Sequence, residues 1–204
     1  RMLYCKLLRS RHAHAKLKRV DVSSASKMPG VVATLVGTEL PIPFGIMPVS
    51  EDEHSLCIDR VRFVGDPIAA VAAEDEETAQ AALDLIHVDY EPLKAIMSPE
   101  DAVKNPEPRI HDYGDEGNFH RLVSLQFGDV EASFKDAHAV IEGMYFYEGD
   151  THLPMEQHSA LAASDPEGRV TLWSSTQTPH YVHKALSKVL AMPASRIRVI
   201  AMPN

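Results

Sequence analysis

The chain has 204 residues, 45% hydrophobic and 24% charged, enough apolar material for a real core in one or two domains. A net charge of −9 argues against general nucleic-acid binding, and no apolar run reaches membrane-spanning length, so a soluble, cytoplasmic chain is expected. Two cysteines, Cys5 and Cys57, with no CxxC, are too few to ligate an iron–sulfur cluster, which takes about four thiolates; two buried thiols in a reducing compartment are expected, with a disulfide between them left open.

In chain order, residues 3–8 and 17–22 read as extended. The first nineteen residues hold seven Lys or Arg and no acid. They suggest a folded basic edge; a transit peptide and an anion-binding patch are the alternatives. The first residue is Arg rather than Met, so an incomplete amino terminus is expected. Met28-Pro29-Gly30 is a turn before a β-rich run, 31–36. Residues 38–56, with three prolines and Glu51, Asp52 and Glu53, read as a long loop. A short strand at 61–64, the turn Gly65-Asp66-Pro67 and an apolar run at 68–73 follow.

Asp75 is a good helix N-cap, with Glu76 and Glu77 in the first turn. Ala79, Ala82, Leu83 and Ile86 then form one stripe. A strand at 87–90 is stopped by Glu91-Pro92. Residues 98–120, rich in proline and polar residues, read as a linker. This divides the chain into 1–105, a linker 106–125, and 126–204.

The second part opens with a helix, 130–135, capped by Asp129, and a long strand, 139–147, carrying Tyr145 and Tyr147 on one face. Residues 159–164 and 169–174 flank Asp165-Pro166-Glu167-Gly168, a hairpin turn. Thr178 and Pro179 open a helix with the stripe Val182, Leu186, Val189 and Leu190. A strand at 196–201 completes a βαβ unit with parallel strands. The fold class is α/β (α+β), two units in series with no internal repeat.

Gln177, in Trp173-Ser174-Ser175-Thr176-Gln177-Thr178-Pro179-His180, sits where a strand hands over to a helix, the place where open α/β sheets bind ligands. Its neutral amide both donates and accepts; it either serves a ligand or caps the turn. His152, Glu156 and His158 are close enough for a metal, but the spacing matches no standard zinc pattern, so a buried, hydrogen-bonded polar cluster is expected instead. His12 and His14 read as solvated imidazoles. Gly65-Asp66-Pro67 is too weak a signal for phosphate, and no GxGxxG, P-loop or Gly-x-Ser-x-Gly pattern occurs. The tyrosines and Trp173 read as packing residues.

Several ordered motifs resemble one family. Leu8-Arg9-Ser10-Arg11-His12-Ala13-His14-Ala15, Met28-Pro29-Gly30-Val31, Val64-Gly65-Asp66-Pro67-Ile68-Ala69-Ala70-Val71-Ala72-Ala73 and Val88-Asp89-Tyr90-Glu91-Pro92-Leu93 lie in the first half. Pro154-Met155-Glu156-Gln157-His158, the stretch around Gln177 and Arg196-Ile197-Arg198-Val199-Ile200 lie in the second. Together they resemble the molybdenum-cofactor-binding subunit of the xanthine dehydrogenase and aldehyde oxidase family. The resemblance implies a small α/β hammerhead domain, then the start of a mixed-sheet molybdopterin-binding domain. Gln177 matches the family glutamine whose amide approaches an oxygen ligand of the molybdenum.

The family's glycine-rich cofactor loop follows Met202-Pro203-Asn204, and its catalytic glutamate lies further on. No catalytic residue and no protein-held metal are therefore expected in this stretch, which resembles an N-terminal fragment. Gln157 stands where many relatives have Pro. Iron–sulfur clusters and FAD are implied only in partner subunits or domains, with an oligomer or a companion chain.

Within the family, Pro41-Ile42-Pro43-Phe44-Gly45-Ile46-Met47-Pro48, Asp52-Glu53-His54 and Tyr145-Phe146-Tyr147-Glu148-Gly149 are most similar to 4-hydroxybenzoyl-CoA reductases, implying reductive dehydroxylation of an aromatic CoA thioester. The alternatives are an aldehyde-, xanthine- or CO-type hydroxylase, a non-catalytic assembly module, and a lone metal-binding protein.

Overall fold

The computed structural model describes residues 2–47, 50–114 and 116–202. Arg1 of the basic start, Pro48 of the 41–48 motif and Pro203-Asn204, after which the glycine-rich loop is expected, lie outside the described residues.

The first unit contains β1 (Tyr4–Arg9), β2 (Ala15–Asp21), β3 (Val31–Val36), β4 (Arg60–Val61), β5 (Pro67–Ala73), α1 (Glu76–Leu83) and β6 (His87–Pro92). These make two antiparallel three-stranded sheets, ordered β1-β5-β3 and β4-β2-β6. The helix between β5 and β6 thus carries the chain from one sheet to the other. It starts as expected: the Asp75 carboxylate accepts from Thr78 N at 2.7 Å. Its stripe is buried, with Ala79, Ala82 and Leu83 closed to solvent.

β5 is the centre of the unit. Its run of Ile, Val and Ala is apolar on both faces because both faces are covered. Ile68 packs with Ala15, Cys57 and Val61, and Val71 packs with Ala25, Ala82 and Leu83. The basic start forms the folded edge expected, but little of its charge is free for an anion. Lys6 pairs with Glu76, Lys16 and Lys18 with Glu91, and Arg19 with Asp21 at 2.6 Å.

Four expectations change here. The 61–64 strand ends at Val61, because the Asp66 carboxylate accepts from Arg62 N at 2.9 Å and turns the chain. β6 runs on through Glu91 and Pro92, Pro92 being tolerated opposite Ala15 at the strand end. Cys5 is exposed, since β1 pairs only with β5; Cys57 is the one buried thiol, and both are free. His14 is not solvated: it is 4% exposed.

The linker is also more ordered than its composition suggests. α2 (Pro99–Lys104) starts at Ser98, whose hydroxyl accepts from Asp101 N at 3.1 Å. Residues 105–114 and 116–118 then form a strap built around side chains that hold main-chain atoms. Arg60 and Arg62 donate to the carbonyls of Arg109 (2.7 Å) and Ile110 (2.8 Å). Arg109 donates to the Tyr113, Gly114 and Gly117 carbonyls. Asn118 accepts from Ile110 N at 2.7 Å and donates to the Asn105 carbonyl at 2.9 Å.

The second part holds α3 (Val130–Asp136), β7 (Ala160–Ser164), β8 (Val170–Ser174), α4 (Pro179–Val189) and β9 (Ile197–Ala201). The Asp129 cap forms, accepting from Ala132 N at 2.9 Å. β7 and β8 are the expected hairpin, and β8 and β9 pair in parallel across α4. The strand expected at 139–147 is not formed: Tyr145 and Tyr147 are exposed, and no strand lies beside this segment among the described residues. A run of strand-forming residues cannot hold a strand without a neighbour to satisfy its backbone. Among the described residues no helix is long and apolar enough to cross a membrane.

Candidate functional site

The junction between β8 and α4 is fixed from both sides. The Ser174 carbonyl accepts from Thr176 N (2.9 Å) and from Met202 N (3.0 Å), tying the turn to the end of β9. The Ser175 hydroxyl accepts from Ser159 N at 2.9 Å and donates to Ser159 O at 3.3 Å, tying it to the start of β7. Thr176 Oγ1 accepts from Thr178 N at 3.1 Å and lies 3.4 Å from Thr178 Oγ1. Thr178 occupies the N-cap as expected, but caps through its backbone carbonyl, which accepts from Tyr181 N and Val182 N.

Gln177 lies inside this framework. Of Ser175, Thr176, Gln177 and Thr178, it alone has a polar side chain that no described residue engages, and it is exposed. The carboxyl ends of the parallel pair, Ser174 and Ala201, are in register beside it. That is the end of a parallel pair at which open sheets take ligands. Its neutral amide donor and acceptor is left unspent on the fold.

The far end of α4 is equally well fastened. His183 Nε2 donates to the Ala194 and Ile197 carbonyls (3.0 and 3.1 Å), and Ser187 donates to the Met192 carbonyl at 2.7 Å. Met192 N reaches Ser187 O and Ala191 N reaches Lys188 O, a Schellman stop. Ala191 there adopts φ +49°, a conformation that costs an L-residue with a Cβ. Ala191→Gly is expected to stabilise the second part by roughly 0.5–1 kcal/mol, read as a higher midpoint in urea unfolding; a lower midpoint counts against this account of the stop.

The other expected site residues do not assemble. His152, Glu156 and His158 are exposed and make no hydrogen bond to a described residue, so the buried polar cluster is absent. Leu153 at φ +44° and Pro154 interrupt the extended backbone that would have put the three on one face. Among the described residues no group of three or more His, Cys, Asp or Glu could hold a metal.

Two features have no sequence motif. The loop after β3 reaches α4, where Glu51 accepts from Lys188 Nζ at 2.6 Å and that bond holds the Glu51 carboxyl below the usual carboxylate range. Phe44, Ile46, Thr178 and Tyr181 line a cavity of about 150 Å³ there, next to Gln177 in sequence. The only sequence signal was opposite charge, acids at 51–53 and lysines at 184 and 188. A larger cavity, about 480 Å³, lies in the first unit against Cys57, His54, Asp66 and His111, and Gln177 does not line it. Burial, then the adjacent Asp66, pushes the Cys57 thiol far up, so it is not a nucleophile.

Residues 1–94 match the family described as aldehyde oxidase and xanthine dehydrogenase, a/b hammerhead domain, and residues 110–204 match the molybdopterin cofactor-binding domain. The chain is 39% identical over 201 residues to the nicotinate dehydrogenase large molybdopterin subunit of Eubacterium barkeri, covering 98% of this chain and 46% of that one. It is 38% identical over 204 residues to a probable xanthine dehydrogenase subunit of Bacillus subtilis, covering 99% and 27%. Among solved structures, quinoline 2-oxidoreductase from Pseudomonas putida 86 superposes with a TM-score of 0.83 at 29% identity, over 98% of this chain and 26% of that one. Cu,Mo-CO dehydrogenase gives 0.80 at 31%, over 98% and 27%. The chain therefore spans between about a quarter and a half of the length of these relatives.

Proposed function

Because the chain belongs to the xanthine dehydrogenase and aldehyde oxidase family, with the hammerhead and cofactor-binding domains of its molybdenum-binding subunit, we propose that it is part of a molybdenum-dependent oxidoreductase and that Gln177 contacts the cofactor. The observation that carries this is the Gln177 amide, exposed and unengaged in a turn whose other polar side chains are all tied down. When bound, the molybdenum–pterin group supplies two-electron redox chemistry. The protein's part is to hold the amide at a fixed place, without adding charge, as donor and acceptor. Ser175 and Thr176 set its backbone, and α4 anchors the turn behind it. The division proposed is 1–105, 106–125 and 126–204.

For the substrate we infer an aromatic CoA thioester that loses a ring hydroxyl. Two electrons and two protons convert the phenol to the arene and water. Support comes from the local runs at 41–48, 52–54 and 145–149. A second reading, hydroxylation of a heterocycle, an aldehyde or CO, is favoured by the names of the relatives, among them nicotinate dehydrogenase and carbon monoxide dehydrogenase. Iron–sulfur and flavin partners complete the electron path, since Cys5 and Cys57 cannot hold a cluster by themselves. We place the assembly in the cytoplasm.

The test is elemental analysis and turnover of the complete subunit with its partners. Molybdenum in the preparation is expected, with loss of the hydroxyl from 4-hydroxybenzoyl-CoA under a low-potential reductant. Oxygen gain on nicotinate or xanthine instead selects the second reading. A fully assembled subunit without molybdenum overturns both.

A further inference from the structure

His14 is a buried side chain outside the candidate site, 4% exposed, and the structure shows what it fastens. Its ring Nδ1 lies 3.2 Å from the Lys94 carbonyl, and its own carbonyl accepts from Leu93 N at 3.0 Å. A carbonyl can only accept, so Nδ1 carries the proton and Nε2 presents a bare lone pair. That Nε2 is closed to solvent and has no partner. The same residues lead into the strap. Lys94 Nζ donates to Asn105 Oδ1 at 2.9 Å, Asn118 bonds Asn105, and Ile110 N bonds Asn118.

The charges facing the ring are one-sided. Arg60 on β4, Arg62 just beyond it and His111 from the strap all oppose a positive imidazole. The nearby acids are already committed: Asp112 lies 3.7 and 3.8 Å from Arg60 and Arg62, and Asp52 is 2.7 Å from His111. Among the described residues no carboxylate bonds His14.

We propose that His14 is an acid-operated latch, which holds residues 94–114 and 116–118 against the first unit while neutral and releases them when protonated. A proton on Nε2 would have no acceptor inside and would add a third cation beside two guanidinium groups. The charged ring must therefore swing out to water, and the Lys94 carbonyl loses its donor. Because the strap leads into the part that carries Gln177, acid loosens the join between the two.

The direction follows from linkage. Burial lowers the pKa of His14 from its ordinary 6.5; the Lys94 bond opposes this, and Arg60, Arg62 and His111 add to it. The released state then binds more protons than the latched one. Attachment is unaffected well above 6.5 and is lost as pH falls below it, by up to about tenfold in the opening equilibrium per pH unit.

The test is amide exchange by NMR on the full chain, near pH 7.5 and about pH 5, as protection factors corrected for the intrinsic pH effect. Leu93 and Ile110 should lose protection by about tenfold or more at the lower pH, while Val71 in β5 keeps its own. The His14 ring should show the Nδ1–H tautomer and titrate below 6.5. His14→Gln should remove the pH dependence, and His111→Gln should leave it in place. Where His14→Gln does not fold, Arg60→Gln should raise the His14 midpoint. Titration of His14 at or above 6.5, strap amides that stay protected once it is charged, or pH dependence removed by His111→Gln overturns the latch.

Discussion

Gln177→Ala in the complete subunit is expected to lower kcat by about 100-fold or more while leaving the fold intact, the scale seen when one positioned hydrogen-bonding group is taken from a reacting centre. The structure makes the two readouts separable. Gln177 is exposed and bonds no described residue, so its side chain contributes almost nothing to stability, and unfolding midpoints should agree within about 0.5 kcal/mol. The turn keeps its shape through Ser174, Ser175 and Thr176. Gln177→Glu should fail comparably, because a carboxylate of the same size accepts but does not donate and brings a charge. Near-normal turnover in either variant counts against the assignment; a lowered midpoint would show instead that the residue caps the turn.

The largest loss of stability is expected at Ile68. It is 0% exposed in the middle strand of the first sheet and packs on Ala15, Cys57 and Val61. Ile68→Ala removes three carbons from a site where Ala15 and Val61 are held on paired strands and cannot collapse into the space. A cost of about 3–4 kcal/mol is expected, which for a unit of this size lowers Tm by about 12 °C or more. Ile141 provides the contrast: it is as apolar but 92% exposed, so Ile141→Ala should change little. Calorimetry on both variants checks the pair. Equal shifts would mean that burial is not what distinguishes them.

What could be read from the chain was what is decided locally. The Asp75 cap needs only a carboxylate and an amide three residues on, and the 165–168 turn needs Pro and Gly at set places. The β8-α4-β9 unit follows from one amphipathic stripe between two short apolar runs. Gln177 was legible as a position, since a strand ending at Ser174 and a helix starting at Pro179 leave it between them.

What escaped was non-local. The run at 139–147 is rich in strand-forming residues, yet a strand is a property of two segments, and no partner segment lies beside it among the described residues. His14 looked solvated because nothing near it in sequence offers it a partner; Lys94, whose carbonyl it bonds, and Arg60, whose charge it feels, are far along the chain. The strap looked like a linker because prolines mark it so, whereas its order comes from guanidinium groups on Arg60, Arg62 and Arg109 binding carbonyls, a role no local composition announces. The start of α2 at Ser98-Pro99-Glu100-Asp101 carries a local cap signal that a reading by proline content passes over.

The placement of β5 between β1 and β3 sets a timetable for biosynthesis. Tyr4 has no partner until Ala73 has been made. At about 5–20 residues per second, the nascent β1 waits roughly 3–14 s before it can pair. During that interval Leu3, Tyr4 and Leu7 are offered to any apolar surface nearby, including other polysomes' products. Substitutions that slow the emergence of β5 should therefore lower soluble yield even when the finished protein is no less stable.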